Sequence, residues 1–108
     1  MRDDDAVFRA LADASRRHLL DSLHARNGQT LRELCADLDM TRQAVSKHLA
    51  VLGEANLVVA LRHGRERRHF LNPAPIADLA GRWIGKYERE RVTALAELTR
   101  ELEQESDD

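Results

Sequence analysis

The chain has 108 residues, of which 43% are apolar, 33% charged and only 4% aromatic, with a formal net charge of −2. That length admits one domain. The composition excludes wholesale disorder and a globally basic nucleic-acid coat, and it requires an aliphatic core small enough to gain from burial against a second subunit. The single Cys35 excludes an internal disulfide and an all-thiolate zinc site within one chain. No apolar run reaches the ~20 residues of a membrane helix, and the acidic start Met1-Arg2-Asp3-Asp4-Asp5 lacks the apolar stretch of a secretory leader. The chain therefore reads as cytoplasmic, with no membrane partner.

In chain order, Val7, Phe8, Leu11 and Ala12 recur at helical spacing and predict a first helix over 5–12. Asp13 is placed to cap a second helix over 14–24, with Leu19, Leu20 and Leu23 inside and Arg16, Arg17 and Asp21 outside. Gly28, after Asn27, suits a left-handed stop. Thr30, with Glu33 three residues on, forms a capping box for a third helix whose buried stripe is Leu31, Leu34 and Leu38. Asp39-Met40 is a short turn. Thr41 caps a fourth helix lined by Val45, Leu49 and Leu52; Gly53 weakens its last turn, and Asn56 fills the left-handed position beyond it.

The period then changes. Leu57–Arg62 is β-branched and apolar and predicts a strand; 63–66 is a turn; Arg67–Leu71 returns as a second strand. Asn72-Pro73-Ala74-Pro75 stops the hairpin, since Pro has no amide to give a ladder. A long helix is expected over about 76–103, reaching ~42 Å at ~1.5 Å per residue. Its stripe of Ile76, Leu79, Ala80, Trp83, Ile84, Tyr87, Leu95, Leu98 and Leu102 needs a cover, most simply a second subunit. The expected organisation is one domain over 1–104, its C-terminal helix included, and a frayed acidic tail over 105–108.

Two short helices joined by a tight turn and followed by a hairpin make a helix-turn-helix with a wing: a mainly α fold with a two-stranded β-wing. The charge fits. Residues 1–40 carry six basic and eight acidic side chains, 41–72 carry six and two, and 73–108 carry five and nine, so the middle third is +4 between flanks of −2 and −4. Opposite Val45, Leu49 and Leu52 stand Arg42, Gln43, Ser46 and Lys47, just after Thr41. Arg suits guanine, Gln suits adenine, and Ser and Lys suit phosphates or base edges. Arg62, His63, Arg65, Arg67 and Arg68 sit on the wing, where they reach a minor groove or the backbone. The partner so implied is double-stranded operator DNA.

Three stretches carry a resemblance: Phe8-Arg9-Ala10-Leu11-Ala12-Asp13-Ala14-Ser15-Arg16-Arg17; Leu34-Cys35 with Ala44-Val45-Ser46-Lys47-His48-Leu49; and Gly64-Arg65-Glu66-Arg67-Arg68-His69-Phe70-Leu71-Asn72. Over roughly residues 5–90 the chain resembles the ArsR/SmtB winged-helix regulators. The resemblance implies a homodimeric bacterial repressor that reads a palindromic operator near its own promoter. It implies dimer contacts from the first and last helices, here Val7, Phe8, Leu11, Leu79, Trp83, Tyr87, Leu95 and Leu98. It also implies a phosphate contact for His48, which the residues alone divide evenly between phosphate and the edge of the core. The family's usual Pro at 14 and Gly at 56 are Ala14 and Asn56 here. Metal-sensing members place Cys-x-Cys where this chain has Leu31 and Glu33, with Cys35 beyond. Others use Asp and His on the last helix, where Asp78 stands but no His follows His69. Neither set is complete, which implies the non-metal branch, with no cofactor and an unknown effector.

Cys35 beside Leu34 reads first as a small core residue, and Trp83 and Tyr87 as core or dimer-seam residues. His18 and His24 read as solvated. Nothing supports catalysis: there is no Gly-rich phosphate loop, and Ser46 and His48, two apart on a helix, point in different directions. Two rival readings are a winged-helix protein-docking module, suggested by net acidity and the long last helix, and a metal- or thiol-responsive repressor with ligands shared across subunits.

Overall fold

The structure, a computed structural model, describes residues 4–106. The acidic ends Asp3, Asp107 and Asp108 lie outside the described residues, and with them half of the expected tail over 105–108, whose first two residues belong to the last helix. The elements are α1 (Asp4–Leu11), α2 (Ala14–Ala25), α3 (Leu31–Leu38), α4 (Arg42–Glu54), β1 (Val58–His63), β2 (Glu66–Leu71), α5 (Ala74–Leu79), a π-helical turn (Ala80–Ile84) and α6 (Gly85–Ser106). They fall into two units, one through Ile76 and one from Ala77.

In the first unit, local chemistry sets the helix starts. The Asp13 carboxylate accepts from the Arg16 amide, 3.1 Å away, and this bond holds the carboxyl below its ordinary pKa. Thr30 and Glu33 form the reciprocal capping box, and the Thr30 hydroxyl and amide hold the Glu33 carboxyl low in turn. Thr41 Oγ1 accepts from the Ala44 amide at 3.2 Å. Left-handed residues end or turn the chain at Gly28, Asp39, Asn56 and Gly64. The core is aliphatic, as expected: Leu19, Leu23, Leu34, Val45, Leu52 and Leu57 are fully buried. Val7 and Ala10 are buried as well, so α1 presents Phe8 outward rather than Val7.

Arg16, expected outside, turns inward. Its Nε donates to the Ala10 carbonyl and its Nη2 to the Arg9 carbonyl, both at 2.9 Å, while Arg17 donates to the Leu11 carbonyl at 2.6 Å. Two arginines of α2 thus satisfy the orphan carbonyls at the end of α1.

The hairpin is antiparallel, with Val58 opposite Leu71 and His63 opposite Glu66. Its loop is therefore the two residues Gly64-Arg65, and positive φ falls only on Gly64, the first central position, where type II′ turns place glycine. A third strand stub lies beyond the sequence expectation. The Gly28 amide donates to the His69 carbonyl at 2.9 Å and the His69 amide to the Gln29 carbonyl at 2.8 Å, an isolated antiparallel bridge. Gly28 is required there twice, for its φ of 82° and because a Cβ would lie 3.1 Å from the Phe70 ring. Buried Gln29 donates through Nε2 to Ser22 and to the Arg26 carbonyl, and Ser22 Oγ in turn donates to Asp37, tying α2 to α3.

The second unit corrects the expectation of one uninterrupted helix over 76–103. The helical run starts at Ala74, and a π turn interrupts it where the Gly85 amide donates to the Ala80 carbonyl five residues back. Leu79 and Leu98 are 19 positions apart. At ~100° per residue an unbroken α-helix sets them ~100° apart around its axis, and one absorbed residue removes that offset. The turn therefore brings two halves of an apolar stripe into one phase, which a plain 3.6-residue reading of the sequence does not show.

Candidate nucleic-acid interface

The first unit presents one face built from α4, the N-terminus of α3 and the hairpin. On α4, Val45 and Leu52 are buried and Leu49 is half-buried, whereas Arg42, Gln43, Ser46 and Lys47 are exposed, together with the cap Thr41. The buried residues fix the rotation of the helix, and the other four project from its opposite side because they fall out of phase with that face. The left-handed Asp39, whose amide donates to the Cys35 carbonyl, makes the tight turn that lets α3 and α4 pack on each other.

His48 is half-buried and faces α2, where its Nδ1 lies 3.4 Å from Arg16 Nη1. An arginine has nothing to accept with, so Nδ1 accepts and Nε2 carries the ring hydrogen. That leaves one donor on a ring whose other edge is tied down.

The hairpin separates its arginines by face, since successive residues of a strand point to opposite sides. Ala60 and Arg62 on β1 share a side with Arg67 and His69 on β2; Leu61 and His63 share the other with Arg68 and Phe70. Arg62, Arg65 and Arg67 line one concavity of about 320 Å³ near the tip. Arg62 and Arg67 stand directly opposite each other. Like charges in that position destabilise a ladder. Arg68 is not brought to this cluster: its Nη1 donates to the Gly28 carbonyl at 3.0 Å and its Nη2 to Glu66 at 2.7 Å, so it braces the wing against the α2–α3 loop. His63 is exposed on the Arg68 side, with its ring centroid 6.3 Å from that of Phe70.

Between α4 and the hairpin runs a groove of about 720 Å³ lined on one wall by Arg42, Ser46, Leu49 and Ala50 and on the other by Val58, Ala60, Arg67 and His69. The α3 N-terminus closes one end and adds Arg32, which the sequence reading missed. The signal was available: Arg32 lies two residues after the cap Thr30, outside the Leu31–Leu34–Leu38 stripe. None of Arg32, Arg42, Arg62, Arg65 and Arg67 has a carboxylate partner among the described residues.

Of the residues expected at a dimer seam, Val7 and Leu79 are buried, Leu11 is half-buried, and Phe8, Trp83, Tyr87, Leu95 and Leu98 are exposed. Trp83 and Tyr87 meet edge to face at 5.2 Å, and Lys86 Nζ lies 5.0 Å from the Tyr87 ring. Among the described residues no group of three or more His, Cys, Asp and Glu side chains is placed to hold a metal, and no helix is long and apolar enough to cross a membrane.

Residues 11–59 match a helix-turn-helix domain family. The chain is similar to an uncharacterized HTH-type transcriptional regulator of Bacillus subtilis (strain 168), 45% identical over an alignment of 86 residues, which covers 74% of this chain and 94% of that one. It is similar over nearly its whole length to an HTH-type transcriptional regulator of Mycobacterium tuberculosis, 35% identical over 107 residues, covering 99% of this chain and 95% of the other. Among solved structures it resembles an ArsR-like transcriptional regulator from Rhodococcus sp. RHA1, with a TM-score of 0.70 at 33% identity over 88% of this chain and 91% of that one.

Proposed function

This chain belongs to the ArsR-like winged helix-turn-helix transcriptional regulators, and on that premise we propose that it acts as a homodimeric repressor of a bacterial operon, its own promoter included. It is a DNA-binding regulator of transcription and not an enzyme. The observation that carries the finer reading is the set of arginines without acidic partners on the face that also exposes Gln43, Ser46 and Lys47. A ladder that sets Arg62 against Arg67 gives up stability, and a polyanion laid across them recovers it.

In this reading α4 enters the major groove. Arg42 and Gln43 read base edges from its first turn, while Ser46 and Lys47 contact bases or phosphates. Thr41 and the His48 Nε2–H donate to the flanking phosphates, beside the free amides of the helix N-terminus. Arg62, His63, Arg65 and Arg67 follow the minor groove or backbone from the wing, and Arg68 holds the wing's base in place. What supports a dimer is the exposed apolar stripe of α6 together with Phe8. Two-fold symmetry then sets half-sites about one DNA turn apart, or a multiple of it.

Fluorescence polarisation with a promoter duplex and a scrambled duplex tests the reading. Gln43→Ala is expected to weaken the promoter complex by about 1–3 kcal/mol and leave the scrambled one nearly unchanged. Equal losses on both would remove Gln43 from base reading. A wild-type protein without preference between the two duplexes would favour a protein-docking module instead.

A further inference from the structure

The groove beside α4 has features that a surface for DNA backbone does not require. At about 720 Å³ it falls within the ~300–1,000 Å³ of typical small-molecule sites. Its floor is apolar, made by Leu31, Leu49 and Val58, and a phosphodiester chain has nothing to lay on it. On the α4 wall position 53 is glycine, and an added Cβ there meets nothing within 4 Å, so the space beside it is open to a larger side chain.

The arginines converge on one chemistry. Arg32, Arg42 and Arg67 line the groove without carboxylate partners among the described residues. The one carboxylate in the lining, Glu66, is held by Arg68 at 2.7 Å. His69 also lines the groove and is only 8% exposed. Its Nδ1 lies 3.0 Å from the Gln29 carbonyl, which only accepts, so Nδ1 carries the hydrogen. Nε2, on the other edge of the ring, has no hydrogen-bond partner among the described residues. It is an acceptor, suited to a hydroxyl or N–H on a ligand's body rather than to an anionic head group.

We infer that this groove is also a small-molecule site for an organic monoanion, a carboxylate or sulfonate on a flat or short-chain apolar body, and that its occupant and DNA exclude each other. The arginines take the head group and the apolar floor takes the body. The exclusion rests on the reading of this face as the DNA surface; the binding itself does not.

The test is isothermal titration of the full chain with naphthalene-2-carboxylate. Naphthalene-2-carboxamide serves as its uncharged twin and sodium sulfate as charge without an apolar body. One probe is expected per chain, with the twin and sulfate at least about tenfold weaker, the loss of a charge-assisted hydrogen bond or of the buried body. Gly53→Leu, which fills the open wall, is expected to weaken the probe by at least about tenfold, with the thermal midpoint unchanged or raised because glycine leaves a helix. Ala50→Phe on the same wall replaces it if that variant does not fold. Equal affinity for carboxylate and carboxamide, or an unchanged affinity in the filled variants, would overturn the site. A fluorescent promoter duplex, displaced with an inhibition constant equal to the probe's Kd, supports the exclusion. A duplex that stays bound at saturating probe refutes it. If the probe binds and responds to Gly53→Leu while no duplex binds, the DNA reading fails and the site stands.

Discussion

The segment through Ile76 hides most of its large apolar side chains, with Phe8, Val59 and Leu61 left exposed, and the segment from Ala77 displays nearly all of them. In the first, Leu19, Leu23, Leu34, Leu52 and Leu57 are fully buried, and polar bonds such as those from Arg68 and His69 to the 28–29 loop span about 40 residues of sequence. In the second, Leu79 is the one buried large apolar residue among those described, while Trp83, Ile84, Tyr87, Val92, Leu95, Leu98 and Leu102 are all 45–65% exposed. In proteins most helical stability comes from tertiary packing of an apolar face rather than from propensity. One part of the chain is therefore organised to fold on itself. The other leaves seven large apolar side chains exposed along the π-helical turn and α6, more than scattered surface residues explain.

Five substitutions break or sharpen that contrast. Leu34→Ala, at a fully buried site, is expected to lower unfolding free energy by about 2–5 kcal/mol, read from urea denaturation. A loss below ~1 kcal/mol would mean the core is looser than the packing implies. Leu98→Asp is expected to leave the fold of the first segment intact by circular dichroism and shift sedimentation from dimer to monomer, with about tenfold or greater loss of operator affinity as the second half-site is no longer held. A dimer that survives at micromolar concentration would place the seam away from Leu98.

The neighbouring arginines give a smaller and more pointed test. Arg68→Ala is expected to cost about 1 kcal/mol of stability through its lost bonds to Gly28 and Glu66. Arg67→Ala should leave stability unchanged or slightly raised, since it removes the like charge opposite Arg62, weaken binding to every duplex and reduce the salt slope by about 1. Exchange of those two outcomes would reverse the assignment of faces. The smallest effect is that of Asp13→Asn. The native carboxyl titrates below the ordinary aspartate value because the Arg16 amide bonds its charged form. The stability this contributes is present above the unfolded pKa and is lost as pH falls through the lowered one. The wild type should therefore lose stability in that acid window more steeply than the Asn variant, in thermal midpoints taken across the acid range.

Much of this architecture was legible because it is local. The caps Asp13, Thr30 and Thr41 act within three residues, Asn56 takes its left-handed turn alone, and the shift from helical to alternating period at Leu57 marks the hairpin. The exposed set on α4 follows from the phase of Val45 and Leu52. What stayed hidden depends on distant partners. Nothing near Gln29 announces its pairing with His69, and nothing near Arg16 announces that it turns in to close α1. Arg67 and Arg68 are an intermediate case: grouped as one basic patch by composition, they are parted by the two-residue period of a strand, a rule the sequence already contained. The π turn was missed because one surplus residue disturbs helical phase without leaving any mark in composition.

That turn carries a consequence for how the chain tolerates changes in length. One residue among 80–84 is surplus to an ideal helix, so its deletion, for instance that of Gly81, gives an unbroken α-helix with Leu79 and Leu98 18 positions apart, about five whole turns, and still on one side. A single-residue deletion between Ile84 and Leu95 instead leaves the π turn in place and turns the later leucines through ~100°. Insertions and deletions among natural variants of this chain should therefore collect at 80–84 and be rare in the ten residues that follow.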